Sequence, residues 1–393
     1  MNPAIRPELS MIFREGSPEV MSITHFVPGR ASPNENEIFP SHSSLNPESL
    51  TTSPLVMIVV VGYRSRRFLP TCLPAALSQE DTRCEILFVD NASGDESVSY
   101  VREAFPDVRI IEQTKNVGFP AACNVGIAEA RRLGSKFVFL LNPDVVLSPT
   151  CLKTLLEAAS THIGLLQPLL HLPDGSLQSV GNRVHYLGFG CSGLYNPAGA
   201  GNFPFRIDYP SGAAVLIDVS IIERIGGLEE SYFLYHEDLE YGLRARLAGF
   251  ESWCVPTARA IHDHKYDRNP NKLYYMERNR YALLLAYARP ATLLRLFPLL
   301  LAAEIAVWIY SFLQEPRSLR GKMAAMADLM SMGRAIRRLR TRVKKLQPDP
   351  FVYLFPHFAR EIDFPPDAGA FPCFMNACSR LIFSGLHSWG GIK

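Results

Sequence analysis

"KFVFLLNPDVVL", residues 136–147, is the stretch whose reading decides the fold. Its first half is a short continuous apolar run, as in a strand covered on both faces. The run stops at Asn142-Pro143-Asp144, and a second apolar run follows. One carboxylate therefore stands at the lip of a buried strand. Asn-Pro-Asp suits an ordinary β-turn, so Asp144 either only ends the strand or also offers its carboxylate to a metal ion.

Working outward, similar runs occur at "VMIVVV" (56–61), "EILFVD" (85–90) and "DVRIIE" (107–112). Helix-length segments separate or follow them at 66–79, 95–105, 119–133 and 149–160. Strands alternating with helices predict βαβ units, an α/β fold with a mostly parallel sheet and flanking helices. Ligands of such sheets bind beyond the carboxyl ends of the strands. That rule marks Gly62-Tyr63-Arg64, Asp90 to Ser93, Thr114 to Gly118 and Asn142-Pro143-Asp144. Loops are polar for ordinary reasons too; it is their common edge that points to a cleft.

Beyond residue 161 the pattern loosens. "IGLLQPLL" (163–170) and "AAVLIDV" (213–219) read as strands, with a Gly/Asn/Pro-rich loop over 188–205 between them. A short helix runs to Gly226-Gly227. "HEDLEYGLRARLAGF" (236–250) predicts a helix, because Leu239, Leu243 and Leu247 share one face and Gly249 suits its end. "ESWCVP" (251–256) reads as a last short strand leading into "ARAIHDH".

The flanks differ in character. Residues 1–53 are rich in Pro, Ser, Asn and Glu without periodicity, the composition of a disordered extension. "LLRLFPLLLAAEIAVWIYSFL" (293–313) has the length of a membrane span but contains Arg295, Pro298 and Glu304. Residues 317–346 carry ten Lys and Arg against Asp328 alone. An apolar helix beside a basic one predicts a membrane-associated region over 291–346, lying on an anionic leaflet; a buried hairpin and a solvated face are the plainer readings. Residues 347–393 form a tail. The whole chain has 393 residues and a net charge of +2, with no overall drive toward nucleic acid. Eight scattered cysteines without a CxxC, and no signal peptide at the start, predict reduced thiols in the cytoplasm.

Several residues can carry chemistry. Asp90 ends an apolar strand and is followed by Asn91 and Ser93, where a carboxylate either caps a turn or accepts from a nucleotide. Asn116 and Gly118 open a helix where backbone can approach a ligand closely. Glu237, Asp238 and Glu240 crowd a helix start. They are either dipole-favoured caps with a Glu240–Arg244 pair or a source of a general base. His262 and His264 flank Asp263 as possible metal or phosphate ligands.

These residues in this order resemble the inverting family 2 glycosyltransferases of the GT-A fold, most closely the rhamnosyltransferase-like branch. The resemblance spans about residues 54–290. It is carried by "IVVVGYRS", "FVDNASGDES", "NVGFPAACNVGI", "FLLNPDVVL", the long "SGAAVLIDVSIIERIGGLEESYFLYHEDLEYGLRARLAGF", "AIHDH" and "MERNRY". The long segment is specific; each of the others alone is weak.

The resemblance implies an enzyme acting on a nucleotide-diphosphate sugar, dTDP-rhamnose or a UDP-sugar, and a lipid-linked or polysaccharide acceptor. It implies Asp90, Asn91, Asn116 and Gly118 at the nucleotide, and Asp144 with His262 on Mg2+ or Mn2+. Asp238 would be the base, with Glu237 beside it. The expected location is peripheral, on the cytoplasmic face of the cell membrane, with residues 293–346 on its surface. The alternative is a catalytically silent nucleotide-sugar-binding assembly protein of the same fold. Three departures stand out: Gly62 where Ser or Thr is common, Asn142 in place of the first Asp of DxD, and Glu240 in place of a common Asp.

Overall fold

Strand β1 (Val56–Gly62) explains its own composition: every residue in it is buried. Val56, Ile58 and Val60 enter one apolar cluster, and Met57, Val59 and Val61 enter another on the opposite face. Strands β2 (Cys84–Asp90) and β4 (Phe137–Leu141) divide in the same way. Period-two alternation with both faces covered yields an uninterrupted apolar run. Each fully buried Val or Ile contributes about 1.5–3 kcal/mol.

The computed structural model describes residues 55–192, 201–263, 271–314, 318–361 and Asn376. The extension expected over 1–53, His264 and nearly all of the tail beyond Glu361 lie outside the described residues.

Besides these strands there are α1 (Leu69–Leu77), α2 (Ser97–Ala104), β3 (Arg109–Glu112) and α3 (Phe119–Arg132). Then come β5 (Val145–Leu147), α4 (Cys151–Glu157), β6 (Ile163–His171), β7 (Leu177–Ser179), β8 (Asn182–Val184), β9 (Gly190–Ser192) and β10 (Phe205–Ile207). The chain continues with β11 (Ala214–Asp218), α5 (Val219–Ile225), α6 (Glu237–Leu247), β12 (Glu251–His262) and α7 (Lys272–Tyr287). Helices α8 (Pro290–Gln314), α9 (Ser318–Ser331), α10 (Gly333–Leu346) and α11 (Pro350–Leu354) follow.

The main sheet has the order β10-β12-β6-β11-β4-β1-β2-β3. Its β3-β2-β1-β4 portion is parallel, as expected, and β11 enters antiparallel between β4 and β6. Register aligns Gly62 with Asp90 and Asp90 with Glu112, so the carboxyl ends of the parallel strands share one edge.

Two expectations change. The segment 188–205 is not all loop, since β9 pairs with β8 and β10 with β12. The strand expected over 251–256 runs on to His262. Pro256 lies inside a register shift between Val255 and Arg259, beyond which pairing with β6 resumes. A proline cannot donate to the ladder, so its presence suggested an end where the strand only bulges.

Helix α6 is buried on nearly all sides. Leu239, Leu243 and Leu247 face a third cluster that includes Leu283 and Tyr287 of α7, Leu296 of α8, Leu339 of α10 and Phe351 of α11. Tyr241 and Ala245 face the sheet. Of its two buried cations, Arg246 pairs with Asp208, and Arg244 is held by both oxygens of Glu240 at 2.7 and 2.9 Å and donates to the Ile225 carbonyl. Tyr287 also donates to Glu240. Glu240 is therefore an internal counter-ion, and the Glu240–Arg244 pair is the correct account of it.

Candidate functional site

The polar edge begins at Asp90. It is buried, its Oδ2 accepts the Ser93 N–H at 3.0 Å, and its Oδ1 has no hydrogen-bond partner. A buried carboxylate oxygen left so is suited to a donor from a ligand. Asn91 behaves differently. Its amide binds Asn116 Oδ1 and the Gly118 carbonyl, and its Oδ1 accepts the Val117 N–H. Asn91 thus shapes the 116–118 turn, and Asn116 closes that turn by accepting the Gly118 N–H at 2.9 Å. Gly118 has φ +87, and a Cβ there would come within 2.6 Å of the Phe233 carbonyl. Only glycine fits both demands.

Gly62 has a local cause as well. A Cβ at 62 would lie 2.5 Å from the Phe88 ring and 2.6 Å from Ser65 Oγ. Ser65 is buried, and that hydroxyl has no hydrogen-bond partner. The space a side chain at 62 would fill is already taken, partly by a hydroxyl.

At Asp144 the turn and the cleft coexist. Val145 donates to the Asn142 carbonyl at 3.2 Å, closing the turn, and Asn142 donates to the Ala213 carbonyl. Asp144 then lines a cleft of about 270 Å³ with Arg67, Phe68, Thr71 and Asp263. Antiparallel pairing of β12 with β5 sets His262 opposite Val145, and His262 Nε2 lies 3.4 Å from Asp144 Oδ1. His262 Nδ1 is 2.9 Å from Gln178 Oε1. With the proton on Nδ1 shared with Gln178, Nε2 turns its lone pair to the Asp144 side. Two neighbouring ligands of one Mg2+ or Mn2+ at about 2.1 Å stand about 3 Å apart, so carboxylate and imidazole fit one cation. Among the described residues no third His, Cys, Asp or Glu completes a metal cluster.

The acid pair sits at the start of α6. Asp238 Oδ2 accepts the Gly212 N–H at 3.1 Å and Oδ1 its neighbour Leu239 N–H at 2.7 Å. Glu237 Oε2 is buried without a partner. Burial raises both carboxyls, and for Glu237 the adjacent Asp238 adds to it; the two N–H donors at Asp238 work in the opposite direction. In the pair, Asp238 is the better site for the negative charge and Glu237 for the proton. Both line a cavity of about 150 Å³ with Gly190, Tyr209, Tyr235 and Met276. One segment joins the two halves: Ala213 receives Asn142, and Gly212 donates to Asp238.

Residues 57–169 match the model of glycosyl transferase family 2. The chain carries a family 2 glycosyltransferase domain. An N-acetylglucosaminyl-diphospho-decaprenol L-rhamnosyltransferase of Mycobacterium tuberculosis is 28% identical over 239 residues, covering 54% of this chain and 78% of that protein. A low-salt glycan biosynthesis hexosyltransferase, Agl10 of Haloferax volcanii, is 25% identical over 231 residues, covering 57% and 73%. Among solved structures, GalNAc-T7 with UDP, GalNAc and Mn2+ superposes with a TM-score of 0.51 at 13% identity, over 61% of this chain and 49% of that one. That likeness concerns the fold, which is GT-A.

Sequence reasoning missed the parts played by Gln178, Gly212 and Asn279. Gln178 reaches His262 across 84 positions, and Gly212 reaches Asp238 across 26. Nothing local marks either contact. Asn279 lies within the "MERNRY" segment and donates to the carbonyls of Tyr232, Leu234 and Tyr235, in the turn before the acids. The helices expected at a membrane bear on the domain too. Glu304, an obstacle to a membrane span, is met by Tyr281 at 2.6 Å, Trp308 at 3.0 Å and Lys322 at 3.0 Å. Lys322 and Arg280 also hold Glu277.

Proposed function

We propose that this transferase moves a sugar, with L-rhamnose the first choice, from a nucleotide diphosphate to a lipid-linked or polysaccharide acceptor, inverting the anomeric centre. The observation that carries this reading is the Ser211-Gly212-Ala213 segment, bonded at one end to the Asp144 turn and at the other to Asp238. Asp238 takes the proton of the acceptor hydroxyl as that oxygen attacks the anomeric carbon, and the diphosphate leaves from the opposite side. Asp90, with the 116–118 turn shaped by Asn91, receives the nucleotide. Asp144 and His262 would hold a divalent cation, Mg2+ or Mn2+, which supplies positive charge against the diphosphate.

Helix α8 suits a peripheral place on the membrane. Leu294, Phe297, Leu301, Ile305, Ile309 and Phe312 are exposed along one stripe, and Met323, Met326 and Met330 of α9 are exposed as well. Leu296, Leu299 and Ala303 are buried in the core cluster shared with α6 and α7. One side on protein and one apolar side outward favours lying on a bilayer over crossing it. The exposed Arg334, Arg337, Arg338, Arg342, Lys344 and Lys345 of α10 add attraction to an anionic leaflet.

The test is Asp238→Asn. Transfer falls by about a thousandfold, while thermal protection by the donor, picked from a panel of nucleotide sugars with Mn2+, is retained. Turnover at the parental rate would remove Asp238 as the base.

A further inference from the structure

We propose that Asn279 is the positioning residue of the turn that carries the acids, acting on its backbone and not on substrate. The proposal rests on the reading of Asp238 as the base. The turn is costly. Phe233, Tyr235 and His236 have φ of 63°, 63° and 70°, the left-handed region, without a glycine among them. Each such residue costs about 1–2 kcal/mol, so three in four positions need an outside hold.

Asn279, fully buried in α7, supplies it. Its Nδ2 lies 3.0, 2.9 and 2.8 Å from the carbonyl oxygens of Tyr232, Leu234 and Tyr235. Arg278 completes the grip: its Nη2 donates to Ser231 and Tyr232 carbonyls, and its Nε donates to Asn279 Oδ1, fixing the amide's orientation. Three converging carbonyls call for a donor, and the amide's two N–H groups serve them between them. A carboxylate of the same shape would repel them, and a methyl group would take that donor away from all three.

The Phe233 ring stacks on Tyr275, also of α7. The opposite side of the turn is held separately, by Phe119, which donates its N–H to the Phe233 carbonyl at 2.8 Å. The turn is thus clasped between the nucleotide edge and α7, where Asn279 alone reaches the Leu234 and Tyr235 carbonyls nearest the acids and Arg278 and Tyr275 hold its first half. Asp238 follows it by two residues, so loosening the turn shifts the base and leaves the nucleotide edge in place.

Asn279→Ala in the full chain tests this, read as dTDP release from dTDP-L-rhamnose with an N-acetylglucosaminyl diphospho-polyprenol acceptor, and by amide hydrogen exchange. The kcat falls about 100-fold with donor KM within about threefold of the parent. Amides of 232–238 exchange about tenfold faster or more, while those of β1, β2 and β4 do not change. Arg278→Met, at a half-buried residue, gives the same pattern with a loss of about tenfold, and decides the matter if Asn279→Ala does not fold. Parental kcat and exchange in the folded variants overturn the proposal. So does exchange that rises everywhere with donor affinity falling in step, which is the mark of a purely structural residue. The exchange result stands apart from the base assignment. If Asp238→Asn stays active while 232–238 loosens in Asn279→Ala, the base reading fails and the positioning role is kept.

Discussion

The Asp144 edge and the Asp238 turn are assembled by opposite means. At Asp144, backbone pairing does the work: the Asn142–Val145 turn closes on itself, and β12 lies against β5 with His262 in register. At Asp238 the preceding backbone is left-handed, and side chains of α7, more than 40 positions along the chain, hold it. A ladder shares its load over many bonds, so losing one side chain there removes a proposed ligand but leaves the geometry. A turn held by a few side chains loses its geometry when the central one goes. The two halves should therefore fail in different ways.

The largest effect that separates them is expected at Asp144→Ala. Activity falls by about 100-fold or more, and the remaining rate no longer responds to Mn2+ or Mg2+ titration. Melting temperature stays near the parental value, because the turn bonds are backbone. A variant that keeps both rate and metal response would reduce Asp144 to a turn residue. Next comes Gln178→Leu, which removes the partner that orients His262. The metal concentration for half-maximal rate rises about tenfold, with kcat recovered at saturating metal; an unchanged titration curve would deny Gln178 that role.

On the other side, Glu277→Gln breaks the buried charge group beneath the turn and costs about 3 kcal/mol, measured by denaturant unfolding. Burial alone would raise the Glu277 carboxyl, but Arg280 and Lys322 bring it down to about 2. Its folded value lies below the unfolded one, so its contribution is complete above about pH 4.3 and is lost as pH falls toward about 2. The variant should therefore lose the parent's advantage at neutral pH and show little difference from it in strong acid. The smallest effect is in the pH profile. Asp238 is raised by burial and accepts a proton only as the anion. The acid limb of kcat/KM should accordingly lie above the ordinary aspartate range near pH 3.9, with activity falling as pH drops through it. A limb at or below that value would contradict the burial argument.

The sequence made most of the parallel half plain because β1, β2 and β4 are covered on both faces, and a run such as "VMIVVV" has few other uses. Asp90, Asp144 and the acid pair were legible for a related reason: each stands where an apolar segment stops. The Glu240–Arg244 pair was legible from i,i+4 spacing. His262 was joined to Asp144 through the family resemblance alone; the strand pairing that brings them together was hidden, since Pro256 suggested that β12 ended before reaching it. Asn279 lay within a quoted segment without a role. Its partners are backbone carbonyls, whose direction depends on three left-handed residues that no local propensity announces. Contacts between a side chain and distant backbone leave no pattern in composition or periodicity.

The Ser211-Gly212-Ala213 segment has one more consequence. Asn142 hangs from the Ala213 carbonyl and Asp238 from the Gly212 amide. In the proposed reaction, the leaving-group end and the accepting end are thereby measured from adjacent residues of one stretch of backbone, like two marks on one ruler. Exchanging side chains at the nucleotide or acceptor walls can alter which molecules enter, but it does not move the marks. On that reading the gap for a single sugar ring is a property of the main chain, which would let substrate preference drift while the span of the reaction stays constant.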